Sequence, residues 1–366
     1  MMRARVLPLG ASTVTTRDIG RWQALVDVAV EPNPFFEPAF ALAASEHLGE
    51  RGMSLLVVED DEGWRACMPV QGAKIARVVP GMRTWGHLYC FLGTPLLDAA
   101  RAVPAARSLL ALALVSKRPL TLETLVDGGP ASTAISQAAA DLRLVTIAET
   151  QHDRAFLERR PAGDYLEGMR SHRRRELNRL GRRLETELDC TLSIADEAGQ
   201  DAAVDRFLAL ERSGWKGRAD TALGSSPGHA AFFRAVCRTF AAEGRLQLLA
   251  LSADKRTVAM KCNLYAGDGG FCFKIAYDEE LARFSPGVQL ERENIRIFHD
   301  RRRERWQDSC ADPENVMINR LWPDRRSIST TMLARDGVRA AVCRQALRAV
   351  EAARETKKRR TSSHES

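Results

Sequence analysis

Apolar positions recur along this chain with two different periods. Between Gly270 and Tyr277 they alternate, with Phe271, Phe273, Ile275 and Tyr277 on one face and Cys272, Lys274 and Ala276 on the other, which predicts a strand. From Pro286 to Phe298 the spacing lengthens to that of a helix, with Val288, Leu290, Ile295, Ile297 and Phe298 inward. An acidic turn, Asp278-Glu279-Glu280, and the tripeptide Ser285-Pro286-Gly287 join the two. Ser285 is placed to cap the helix, Pro286 suits its first position, and Gly287 lets another molecule approach the backbone. The N–H groups of a first helical turn lack intrahelical partners, so a strand feeding such a turn is a natural seat for a phosphate or pyrophosphate. An ordinary capped helix is the plainer reading of the same residues.

The same patterns predict elements along the whole chain. In the first half, helices are expected over 16–30 (opened by Thr16 or Asp18), 38–48, 103–115 and 131–140. Strands are expected over 53–59, 64–73, 83–91, 120–126 and 142–147. The segment 163–189 carries Leu166, Met169, Leu177, Leu180, Leu184 and Leu188 on one stripe, and Arg173 interrupts that stripe. Beyond it the pattern predicts strand 190–195, helix 202–211, a loop over 218–228, helix 230–242 and a hairpin of 246–252 with 257–266. Strand 306–310, helix 313–321, strand 327–332 and a terminal helix 337–354 complete the reading, ahead of a polar tail.

A chain of 366 residues has room for two domains, and 45% hydrophobic with 28% charged residues describes a folded protein. No apolar run approaches the ~20 residues of a membrane helix, so no membrane insertion is expected. The first residues contain no apolar stretch of about 7–15 residues, so secretion is not expected. The eight cysteines form no C-x-x-C pair, which fits a reducing cytoplasm. A net charge of +7 favours anionic partners but does not by itself imply nucleic acid. The seven histidines show no metal-ligand spacing, and no metal is expected.

The strand ending Lys274-Ile275-Ala276-Tyr277-Asp278-Glu279, followed by Phe284-Ser285-Pro286-Gly287, resembles the acyltransferase superfamily built on the GNAT fold. The resemblance is closest to the BcsL/CelD type annotated with cellulose or exopolysaccharide biosynthesis, relatives of the Fem-type peptidoglycan transferases. Trp215-Lys216 before a Gly/Ser-rich loop, the Arg-rich helix, and the Trp306–Asp312 and Asn315–Asn319 segments carry the resemblance further. It implies an α+β fold of two tandem GNAT-like domains, 1–160 and 161–340, each a mostly antiparallel sheet flanked by helices, then 341–366 as helix end and tail. It implies acetyl-CoA or another acyl-CoA as co-substrate and a small-molecule or saccharide acceptor, and the net positive charge adds sugar nucleotides and acyl carrier proteins as anionic partners. Residues 283–287 hold one residue too many before the glycine of the family's pyrophosphate loop and no second glycine, so that role passes to Ser285, Gly287, Val288 and Gln289 by position.

Acyl transfer from a thioester also needs donors for the oxyanion and an acceptor for the nucleophile's proton. The resemblance implies that backbone at Lys274, Ile275 and Ala276 supplies the donors, in a gap between splayed strands. Asp278, Glu279 and Asp308 are the candidate bases, each equally readable as a turn or cap residue. Arg173, Trp215 and Lys216 are the candidate acceptor contacts. The basic helix reads as a solvated face, as an anion site or as a nucleic-acid surface; no aromatic interleaving supports the last. A Fem-like transferase using charged tRNA, and a catalytically inactive binding protein, remain alternatives.

Overall fold

The computed structural model describes residues 2–10, 12–49, 51–75, 78–161, 165 and 171–349, without the side chains of Ser171 and Arg173. The chain divides into two units: Met1–Pro38 with Glu50–His152 and Ser327–Ser366, and Ala39–Gly49 with Asp153–Arg326. The division is thus not the simple cut at 160 expected from element order, because a short helix and a late strand change sides.

In the first unit, β1 (Arg3–Pro8), β2 (Ser54–Glu59), β3 (Trp64–Ile75) and β4 (Val79–Thr84) pair antiparallel in that order. A two-residue strand, β5 (Leu96–Leu97), lies on β3. Helix α1 (Thr16–Asp27) is opened by Thr15 and Asp18 in a capping box, one residue earlier than the expected Thr16. A second helix, α2 (Pro38–His47), falls almost wholly in the other unit. After α3 (Ala102–Ala113), β6 (Leu120–Val126) joins β4 in parallel; α4 (Pro130–Asp141) and β7 (Leu144–Glu158) follow. The late strand β13 (Asp324–Arg335) pairs antiparallel with β6. The expected strand over 83–91 ends at Thr84; Trp85 and Tyr89 are buried from a loop.

The second unit repeats this plan. It opens with α5 (Ser171–Leu188), while the expected residues 163–164 and 166–170 of that helix lie outside the described ones. Strand β8 (Leu192–Asp196), helix α6 (Asp201–Ser213), the one-turn helix α7 (Trp215–Arg218) and α8 (Pro227–Ala242) come next. Then β9 (Leu246–Ala253), β10 (Arg256–Ala266) and β11 (Gly269–Tyr277) form an antiparallel meander with β8 outside β9. Helix α9 (Pro286–Arg301) carries the chain to β12 (Trp306–Asp308), parallel to β11 and antiparallel to the end of β7, and then to α10 (Val316–Leu321). A parallel neighbour needs a crossover, and a helix supplies it in both units. Each unit is therefore mixed α+β, a mostly antiparallel sheet flanked by helices.

A bulge sets the faces of β11. Lys274 lies opposite Cys262 and Cys272 opposite Asn263, leaving Phe273 as the extra residue. The register then puts Phe271, Lys274 and Ala276 on one side and Cys272, Ile275 and Tyr277 on the other, unlike the unbroken alternation expected. Phe273 packs with Phe40 and Phe233 at ring distances of 5.7 and 6.0 Å. Cys272 joins a cluster with Ile295, Phe298 and Trp322 beneath α9.

Candidate functional site

The parallel pairing of β11 and β12 covers only Gly269–Phe271 against Trp306–Asp308. Past that point β11 runs on to Tyr277 with its edge on that side unpaired, while Cys310 takes a left-handed φ of 50° and turns the other chain away. The expected wedge between strands is present. Along it lie two adjoining cavities of about 180 and 270 Å³, which share Lys216, Ile275, Asn315 and Met317 in their linings.

Helix α7 supplies one wall. Gly217 folds back so tightly that a Cβ there would stand 1.7 Å from the Arg212 carbonyl oxygen, and this closeness fixes Trp215 and Lys216 at the cleft. The Lys216 ammonium donates to Glu211 Oε1 at 2.8 Å and to the Ile275 carbonyl at 3.4 Å. Trp215 is 55% exposed, so it is no core cap. Glu279 ties the strand end to this turn: Trp215 N–H donates to its Oε1 at 2.5 Å and Arg218 to its Oε2 at 2.6 Å. That N–H first, and then Arg218, hold the Glu279 carboxyl below its ordinary range.

The start of α9 forms the next wall. Ser285 occupies the cap position but in a left-handed conformation, φ 54° and ψ 54°, and its side chain makes no capping bond. Such strain in a non-glycine residue clusters at functional sites. The expected row of bare N–H groups shrinks to one. Val288 and Gln289 N–H both donate to the Ser285 carbonyl, at 3.0 and 3.1 Å, and Pro286 has none to offer. Among the described residues, Gly287 N–H has no hydrogen-bond partner. A Cβ on Gly287 would lie 3.5 Å from Tyr277 and 3.8 Å from Ile275, so a larger side chain there would enter the cleft.

Lys274 lines the smaller cavity, where burial first and Lys216 second pull its ammonium down to about 8. Cys272, in the same wall, is pushed up to about 12 by burial. Beneath them Lys261 and Glu291 form a buried pair at 2.6 Å, with Glu291 Oε1 accepting from Trp322 Nε1 at 3.0 Å.

Seven of the residues expected at the site line the larger cavity or its neighbour: Trp215, Lys216, Lys274, Ile275, Ala276, Glu279 and Gly287. Others lie elsewhere. Asp278 caps the turn after β11, accepting from Glu280 N–H at 3.1 Å, and pairs with Arg256 at 2.9 Å. Asp308 is fully buried: Arg154 meets both its oxygens at 2.7 Å, Arg326 meets Oδ2 at 3.1 Å, and Cys310 N–H donates to Oδ1 at 2.9 Å. The Gln289 side chain turns toward α5 and donates to the Leu177 carbonyl at 3.0 Å. Val288 is half-buried against the cluster under α9. Arg173 lies on α5, its side chain outside the described residues.

Glu211, Asn315 and Met317 were not anticipated. Glu211 follows Val204, Phe207 and Leu208 on the buried stripe of α6, and an acid on an apolar stripe is the signal that marks it. Among the described residues, no group of three or more His, Cys, Asp or Glu is arranged to hold a metal ion, and no helix is long and apolar enough to cross a membrane.

Residues 171–313, from α5 to the loop after β12, match the family model described as an acetyltransferase (GNAT) domain. The match covers less than half of the chain. No curated protein matches the chain in sequence. Among solved structures, FemX is similar with a TM-score of 0.54 at 10% identity, covering 85% of this chain and 95% of that one. The C-terminal domain of a putative lysylphosphatidylglycerol synthetase from Agrobacterium fabrum gives 0.53 at 10% identity, over 90% and 95% of the two chains. L-PGS from Bacillus licheniformis gives 0.51 at 10% identity, over 92% and 96%. Residues 171–313 of the second unit therefore match a GNAT-type domain, and the fold is similar to that of FemX.

Proposed function

We propose that the C-terminal unit transfers an acyl group from a coenzyme A thioester to an amine or hydroxyl acceptor in the cleft along the free edge of β11. The observation that carries this reading is the edge Phe273–Tyr277, unpaired among the described residues, opening beside Gly287 N–H, which among them has no hydrogen-bond partner. The edge N–H groups are assigned to the carbonyl oxygen, which becomes negative as the acceptor attacks and returns to a carbonyl as the carbon–sulfur bond breaks and the coenzyme A thiolate leaves. Gly287 N–H, with Lys216 nearby, is assigned to the donor's phosphates.

Of the three candidate acids only Glu279 borders the cleft, and its bonds to Trp215 and Arg218 suit it to hold α7 in place. Proton uptake from the acceptor is assigned to Lys274, whose neutral form is reached near pH 8. The resemblance to the BcsL/CelD type supports a saccharide or other small acceptor, the cysteine pattern supports work in the cytoplasm, and the net charge of +7 supports an acyl carrier protein as a further partner. Titration with acetyl-CoA and longer acyl-CoAs tests the reading. Binding weakened at least ~10-fold by Gly287→Glu is expected; indifference of the native protein to every CoA thioester would sink the donor assignment.

One observation favours a second reading. A single free N–H is a thin seat for a pyrophosphate, while α5 exposes Arg174, Arg179 and Arg182. Together with the resemblance to Fem-type transferases, this supports an aminoacyl-tRNA as donor. Binding of tRNA that falls steeply with salt, in a protein indifferent to acyl-CoA, would select it.

A further inference from the structure

Another cavity lies in the C-terminal unit apart from the β11 cleft. It measures about 450 Å³ and opens between α5, β8 and α9. Leu192, Ile194 and Leu251 make its apolar floor. Asn178 and Arg182 reach its rim from α5, four residues apart and hence on one face, and Arg292 reaches it from α9.

Arg292 is half-buried, and neutral groups hold its charge. Its Nη1 donates to Gln289 Oε1 at 3.0 Å and its Nη2 to Asn178 Oδ1 at 2.7 Å. Gln289 is fixed in turn by its bond to the Leu177 carbonyl, so the guanidinium is held in place before any ligand arrives. Among the described residues Arg292 makes no ion pair, and the Arg182 side chain makes neither an ion pair nor a hydrogen bond. The acids of the same wall are engaged elsewhere: Glu293 pairs with Arg296 at 2.9 Å, and Glu185 Oε1 accepts from Leu192 N–H at 3.1 Å. Burial pulls Arg292 below its ordinary range, with Glu293 opposing, which is the mark of a charge short of compensation.

A guanidinium carries five N–H donors in a planar fork matched to carboxylate and phosphate, and here two are used. The remaining donors adjoin an apolar floor in a cavity large enough for a small organic molecule. We propose that this cavity binds an organic oxyanion, its carboxylate or phosphate on Arg292 and Arg182 and its apolar body over Leu192, Ile194 and Leu251. The site is separate from the acyl-transfer cleft and does not depend on the donor assigned there.

Calorimetric titration of the full chain with benzoate, phenyl phosphate, inorganic phosphate and neutral benzyl alcohol tests the proposal. One of the two organic anions is expected to bind at least ~10-fold more tightly than either benzyl alcohol or inorganic phosphate, and the preferred one identifies the oxyanion. Arg292→Gln and Arg182→Gln are each expected to weaken that binding ~10-fold. Arg182 is exposed, so its variant reports on binding even if Arg292→Gln fails to fold. Binding unchanged in Arg182→Gln, benzyl alcohol as tight as the anions, or no binding of either organic anion at about 10 mM overturns the proposal.

Discussion

Replacing Lys274 with methionine keeps an unbranched, slightly shorter side chain and removes its charge. In the native protein burial and then Lys216 lower this ammonium from 10.5 to about 8. The gap corresponds to a ceiling of roughly 3 kcal/mol, and solvent reaching the cleft wall reduces it to ~2 kcal/mol. The folded-state value lies below the unfolded one, so between about 8 and 10.5 the unfolded chain holds the additional proton. Native stability therefore gains with rising pH across that window. The penalty is fully present below about pH 8 and gone above about 10.5. Lys274→Met should be more stable than the native protein at pH 7 by ~2 kcal/mol, an advantage that shrinks from pH 8 upward. Urea unfolding followed by tryptophan fluorescence at a series of pH values measures the difference, and comparing the two proteins at each pH cancels every other titration. A variant less stable at pH 7, or an advantage that stays constant with pH, would refute the argument. In the same variant, acyl transfer should lose its rise in rate through about pH 8.

Asp308→Asn should be strongly destabilising, because it leaves the Arg154 and Arg326 guanidinium groups without their counter-charge; about 3–5 kcal/mol is expected in urea. Burial opposes the Asp308 charge, but the two arginines outweigh it and hold the carboxyl below its ordinary range. Its contribution is thus present at neutral pH and lost as pH falls through that lowered value, so variant and native protein should converge in acid. Gly217→Ala drives a Cβ into the Arg212 carbonyl oxygen, and the backbone must move. A loss of at least ~1–3 kcal/mol is expected in a thermal melt, together with weaker acyl-CoA binding, because Lys216 is displaced from Glu211 and Ile275.

Hydrophobic spacing located most helices and strands, and the departures have local causes. β1 was passed over because its arginines, Arg3 and Arg5, lie on an edge strand whose exposed face hides the alternation. β7 runs to Glu158, well past the expected 147, through the polar and largely exposed Glu149–Asp153. Trp85 and Tyr89 imitate a strand because loop side chains can also be buried. Near the cleft, Trp215-Lys216 stands out only through the family resemblance, whereas the strand-to-helix corner leading to Gly287 is legible because turn chemistry is written in neighbouring residues. The acids were not. Asp278, Glu279 and Asp308 look alike as carboxylates near strand ends, yet one caps a turn, one braces α7 and one is sealed between two arginines.

By itself the sequence settled what depends on near neighbours: the periods of the helices and strands, the breaks at proline and glycine, and the strand-to-helix corner at Ser285–Gly287. Tertiary structure alone decided the bulge at Phe273, which N–H of α9 remains free, and which charges meet. The reason is range. A period is expressed within a few residues, whereas the partner of a buried charge arrives from another element; 30 residues separate Lys261 from Glu291, and 154 separate Arg154 from Asp308.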